Sequence, residues 1–210
     1  MKPPRIPPMV TDLVQTAICS FDNAEFSSLA ACPVCGGPVQ GYDTRCKRYA
    51  ILREGATERP VTVKVKRFIC RHCKTLCNAD EPYYPGTRTG SLVIDLFFTL
   101  SSTMPASKAA RVIDTMNIVV DRTTWRNYCR KDYPEIPATE IFGMQLPLSV
   151  LTLSSLTAKS REGDANKGAD LLAACGYPSS YQSAEKSAAR IRDKKKKLQS
   201  TLPMASSQSA

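Results

Sequence analysis

The chain has 210 residues, room for one ordinary domain or two small ones, and its 42% hydrophobic content is cut into short stretches by fifteen prolines and ten glycines. A formal net charge of +10 and a pI near 9.2 favour polyanionic partners, nucleic acid before an anionic membrane surface. Residues 1–10 hold no apolar run suited to a signal peptide, and the most apolar later stretch, residues 141–158, is interrupted by Gln145, Pro147 and several Ser and Thr. A membrane helix needs roughly 20 predominantly apolar residues, so the expectation is a soluble, cytoplasmic, nucleoid-associated protein with no membrane partner.

Residues 1–8 read as a proline-rich, disordered lead. Met9 to Ile18 can form a short helix with Val10, Leu13, Val14 and Ala17 on one face. Next come two tight cysteine pairs, Cys32-Pro33-Val34-Cys35-Gly36 and Cys70-Arg71-His72-Cys73. Nine cysteines, an odd number without a secretory leader, point to metal rather than to disulfides. Two intervening residues let a turn aim both sulfurs of a pair at one ion, and the small Gly36 relieves crowding just past the first pair. Thirty-four residues separate Cys35 from Cys70, enough for a β-hairpin that brings the pairs together. Val61, Val63 and Val65 alternate with Thr62, Lys64 and Lys66, the period of a half-buried strand. Arg48–Arg53 is a weaker partner strand, with a turn at Glu54-Gly55-Ala56.

Four thiolates, Cys32, Cys35, Cys70 and Cys73, predict one structural Zn²⁺ in a closed tetrahedral site. Cys77, Cys46 and His72 lie nearby as alternatives. Cys77 reads as a buried spectator and His72 as a surface residue, while Cys19, Cys129 and Cys175 read as small buried hydrophobes. From Tyr42 to Lys74 ten basic residues face only Asp43, Glu54 and Glu58, a net of +7. Lys64, Lys66 and Arg67 are the candidate phosphate contacts there, against the alternative of a solvated polar face.

A helical module follows. Ser91 can cap a buried helix over Leu92–Leu100, and Ser107 a second one reaching Met116 with Ala109, Val112, Ile113 and Met116 on one side. Asn117–Val120 reads as a turn. Asp121 caps a third helix from Arg122 to about Tyr133, with Trp125, Tyr128 and Cys129 inward and Arg122, Thr123, Arg126, Asn127 and Arg130 outward. Three helices with such a third face suit a helix-turn-helix reading major-groove base edges, against the alternative of an ordinary helical packing unit. Pro134 and Pro137 mark a boundary. Beyond them lie a polar loop at Lys159–Lys167 and a basic helix candidate, Ser183–Gln199, with a net of +5 in seventeen residues.

The expected fold is α+β. It comprises a lead with a short helix (1–28), a Cys₄ zinc-ribbon hairpin (29–82) and a helix-turn-helix-like unit (89–134). A poorly defined helical or loop region (138–182) and a basic helix with a disordered tail (183–210) complete it.

Residues 32–133 resemble the amino-terminal part of prokaryotic insertion-sequence transposases on Cys32-Pro33-Val34-Cys35-Gly36, the Val61–Lys66 strand and Arg67-Phe68-Ile69-Cys70-Arg71-His72-Cys73. The resemblance implies binding of double-stranded DNA. The family's catalytic half, with three acidic residues holding two Mg²⁺, has no counterpart. Only seventy-odd residues follow Pro137, and their acids read as loop or helical positions rather than as carboxylates converging from strands. A closed Cys₄ site, one histidine and no phosphate-loop motif argue against an enzyme. The expected function is non-catalytic, zinc-dependent DNA binding. The alternative is a zinc-ribbon assembly or regulatory factor that acts through protein contacts in a transcription or RNA-processing complex. The oligomeric state is left open, homo-oligomers included.

Overall fold

A computed structural model describes residues 6–159 and 167–176 as a mixed α+β protein. The chain opens with α1 (Pro8–Cys19), started by a proline whose fixed φ and missing N–H suit a first helical turn. Val10, Val14, Ala17 and Ile18 are buried on one face and Leu13 is half-buried, as the 3.6-residue period predicts.

The short β1 (Glu25–Phe26) leads to the hairpin strands β2 (Val39–Glu54) and β3 (Thr57–Cys70), and β4 (Leu76–Asn78) closes this sheet. β2 and β3 run antiparallel, β1 pairs parallel to β3 through Glu25↔Lys64 and Phe26↔Val65, and β4 adds to the far end of β3. The hairpin is much longer than the alternating segment of the sequence. Residues 40–46 are exposed and so carry no alternation to read. Val61, Val63 and Val65 are fully buried, as expected.

Three helices follow: α2 (Ser91–Ser101), α3 (Ala106–Thr115) and α4 (Arg122–Tyr128). Their starts differ from the expected caps. α2 begins after Gly90, and the Ser91 hydroxyl donates instead to the Pro82 carbonyl at 2.9 Å. α3 begins after Pro105, one residue before Ser107. Asp121 does cap α4, accepting from the Thr123 N–H at 3.1 Å. α4 ends at Tyr128 instead of near Tyr133, because the next residues, Cys129 to Asp132, are all exposed and extend no apolar stripe. Cys129 therefore faces solvent, not the core.

Asn117–Val120 is not a free turn. Ile118 bridges antiparallel to Leu52, Arg53 N–H donates to the Asn117 carbonyl at 2.8 Å, and Val119 N–H donates to the Ile51 carbonyl at 2.9 Å. The link between α3 and α4 thus pairs like a short strand with β2. Residues 138–176, unreadable from sequence, contain a second hairpin, β5 (Ala138–Ile141) and β6 (Met144–Pro147), then α5 (Leu148–Lys159) and α6 (Gly168–Cys175). α5 packs on α1 and α6 on α5. The basic segment 183–199 and most of the polar loop, residues 160–166, lie outside the described residues.

One buried cluster joins α1, Phe21, the valines of β3, α2–α4, β6, α5 and Leu171 of α6. The segments that the sequence divides at residues 82–89 and at Pro134 share that core. At its centre Tyr49 approaches Gly90 so closely that a Cβ there would lie 2.2 Å from the ring, so only glycine fits. Trp125 stacks on Phe97 at 4.2 Å and fixes α4 against α2. A small second cluster, Leu29, Cys32, Cys70 and Cys77, sits at the far end of the hairpin. No helix among the described residues is long and apolar enough to cross a membrane.

Candidate functional site

The hairpin register delivers the two cysteine pairs to one place. Val39↔Cys70 pairing sets the first pair, just before β2, beside the second, just after β3. Both pairs fold alike. Gly36 N–H donates to the Cys32 carbonyl at 2.9 Å, and Lys74 N–H donates to the Cys70 carbonyl at 3.1 Å. Cys32 N–H donates to Gly37 and Cys70 N–H to Thr75, at 3.0 and 2.9 Å. The fifth residue of each turn is left-handed, Gly36 at φ +70° and Lys74 at φ +59°. Glycine takes that conformation freely, whereas a lysine there is strained.

The sulfurs of Cys32, Cys35, Cys70 and Cys73 all lie within 4.8 Å of one another. Cys32 and Cys73 stand 3.6 Å apart, Cys35 and Cys70 3.5 Å. A tetrahedral ion with metal–sulfur bonds of about 2.3 Å sets its sulfurs about 3.8 Å apart. The cluster is therefore a candidate metal site whose spacing fits a structural ion. The His72 N–H lies 3.4 Å from the Cys70 sulfur and can donate to it, as a thiolate ligand requires.

The thiols feel their crowding. The Thr75 hydroxyl, 3.2 Å away, and the Thr75 N–H hold Cys73 down to about 6. The Gly37 N–H lowers Cys35, but the neighbouring sulfurs, Cys70 first, push it up to about 12. So many thiolates cannot coexist in one spot without a cation between them. Cys77 is buried and its sulfur lies 3.8 Å from that of Cys32, outside the four. Burial pushes it up to about 11, which suits a neutral neighbour. His72, Cys46 and Cys129 are exposed, and Cys19 and Cys175 are half-buried.

The basic residues divide into two sets. Lys47 pairs with Glu81 at 2.6 Å, Arg53 with Asp114 at 3.3 Å, and Arg59 with Asp22 and Glu54 at 2.9 and 2.6 Å. Arg67 is held by both oxygens of Asp43, its side chain only 11% exposed and stacked against Tyr42. That guanidinium keeps the Asp43 carboxyl below the usual carboxylate range. Arg67, one of the expected phosphate contacts, is thus paired with Asp43 at the hairpin bulge. Lys64 is exposed on the face opposite the valines, while Lys66 is half-buried with its ammonium 5.7 Å from the Phe68 ring centre.

On α4, Arg122, Thr123, Arg126 and Asn127 are all exposed, and Trp125 and Tyr128 are buried beneath them; Arg130, expected on the same helix, is exposed in the turn that follows Tyr128. Arg122 and Arg126 are four residues apart on the helix, so they share one face. None of these arginines has a carboxylate partner among the described residues. No family model, curated protein or solved structure matches this chain.

Proposed function

We propose that this protein is a non-catalytic, zinc-dependent DNA-binding protein. One structural Zn²⁺, held by Cys32, Cys35, Cys70 and Cys73, ties off a zinc-ribbon hairpin. α2, α3 and α4 act as a helix-turn-helix-like unit whose last helix enters the major groove. The observation that carries the reading is the outer face of α4, where Arg122, Thr123, Arg126 and Asn127 stand exposed over an apolar anchor, with Arg130 exposed in the turn just beyond. Arginine and asparagine are the side chains suited to guanine and adenine edges. Lys64 and Lys66 supply phosphate contacts from the hairpin. The resemblance of residues 32–133 to the amino-terminal part of insertion-sequence transposases supports the same conclusion. With sulfur at all four corners the metal has no position for a reactive water, so its role is structural.

A second reading, docking through protein contacts, is favoured by Val34 and Leu76, exposed apolar side chains beside the cysteine turns. Salt separates the two. Duplex affinity of the zinc-loaded full chain should fall linearly on a log–log plot as salt rises, because phosphate binding releases counterions. Affinity for DNA that ignores salt, or is missing at low salt, would leave protein docking as the reading.

A further inference from the structure

The edge of β2 and α4 enclose a cleft of about 680 Å³ that shares only Asn127 with the outer face of α4. One side is formed by residues 48–51 and the other by α4 and the loop at 86–89. That loop is tied to α4. The Arg88 N–H donates to the Tyr128 hydroxyl at 3.3 Å, and that hydroxyl donates to Thr89 Oγ1 at 3.0 Å. Three cations stand at the rim, Arg48, Arg88 and Lys131, all exposed. Neither arginine has a carboxylate partner among the described residues. Lys131 donates to the Gly86 carbonyl at 2.6 Å, which fixes its ammonium at the cleft mouth. The one acid of the lining, Asp121, already accepts from the Thr123 N–H as the cap of α4. Deeper in, the wall is apolar, with Ile51, Val93 and Val119.

We propose that this cleft seats a stretch of the DNA sugar–phosphate backbone, with Arg48, Arg88 and Lys131 on its phosphates. The proposal rests on the DNA-binding reading and deepens it. A backbone strand alternates anionic phosphates with deoxyribose rings whose surface is largely C–H, and the cleft pairs a cationic rim with an apolar wall. A small inorganic anion would use the rim and leave the wall empty. A wholly apolar ligand would leave the rim cations without counter-charge. Guanidinium forks match phosphate oxygens two at a time. Asn127 belongs both to the cleft lining and to the outer face of α4, so a strand seated here is continuous with the groove that α4 reads. Phosphate contacts then set the register and the helix reads the bases.

The test uses the zinc-loaded full chain and a fluorescent 20-bp duplex pool of random sequence, titrated over a range of KCl concentrations. The Arg48→Ala/Arg88→Ala double variant should lower the slope of log affinity against log salt by about two, and weaken binding by roughly tenfold or more at low salt. The Arg48→Lys/Arg88→Lys variant, which keeps both charges, should retain most of the slope. Lys131→Gln should lower it by about one. Metal content and Trp125 emission equal to wild type certify folding, and the exposed lysine variants provide the comparison should the alanine pair fold poorly. If the wild type shows a steep slope and the double variant the same one, the cleft assignment is overturned while DNA binding stands. A wild type without salt-dependent duplex binding overturns both.

Discussion

The two ends of the molecule are built on different principles. The far end of the hairpin buries only Leu29, Cys32, Cys70 and Cys77 as a cluster and has little apolar surface to hold it together. The helical end is packed around Phe97, Trp125, Ile113 and Met116, deep in the main core. At one end a four-cysteine cluster, a candidate metal site, stands where the other end has extensive hydrophobic burial. The comparison also separates two kinds of positive charge. Four of the hairpin's basic residues, Lys47, Arg53, Arg59 and Arg67, are paired with carboxylates, whereas the arginines of α4 have no such partner among the described residues.

The strongest way to break the comparison is to remove the metal. Chelation, or Cys73→Ser, should abolish the thiolate-to-metal absorption of a Co²⁺-substituted sample and loosen the turns at 32–37 and 70–75. Trp125, the only tryptophan, should keep its buried emission because it reports on the other end. If its emission shifts to that of exposed indole, the two ends are not independently held. The converse is Trp125→Ala. Emptying that site against Phe97 should cost about 3–5 kcal/mol by urea denaturation while leaving one Zn per chain. A variant that loses its metal would show that the helical core supports the cysteine turns.

Smaller effects sharpen the difference in charge. Arg126→Ala should relax base preference at one position of a selected site, a loss of about 1–3 kcal/mol there, whereas Lys64→Ala should weaken all sequences alike. Arg67→Ala should change DNA affinity little, because Asp43 already holds that guanidinium. An Arg67 variant as damaging as Arg126→Ala would show that the ion pair opens on binding. The smallest effect compares the two cysteine turns. Lys74→Gly relieves a left-handed lysine and should raise stability by a few tenths of a kcal/mol up to about 1, while Gly36→Ala should lower it by a similar amount.

What could be read from the sequence follows this division. The four-cysteine cluster was legible because cysteine spacing is a local signal that survives without knowing the fold. α1 and the three valines were legible because one face of each is buried and the period shows it. The first half of β2 was not, since its exposed residues alternate with nothing. Nor was the commitment of Arg67 and Lys47, because Asp43 and Glu81 become their neighbours only through a bulge and a long-range approach. Charge counted along a sequence therefore overstates the charge a surface can offer. The β5–β6 hairpin has strands of only four residues, too short for a clear alternation, and the pairing of Asn117–Val119 depends on a partner more than sixty residues away.

That last pairing has a mechanical consequence. Two backbone hydrogen bonds, Arg53 N–H to the Asn117 carbonyl and Val119 N–H to the Ile51 carbonyl, rivet the residues just before α4 to the hairpin, so the helix has no tether on which to swing. On the proposed DNA-binding reading, a duplex that touched both Lys64 and α4 would meet a rigid caliper with a fixed opening. The double helix has to supply whatever bend or groove width that opening demands, and the cost depends on how easily its base steps deform. Flexible pyrimidine–purine steps would be favoured at positions that no side chain touches, and the caliper would select sequence by stiffness as well as by contact.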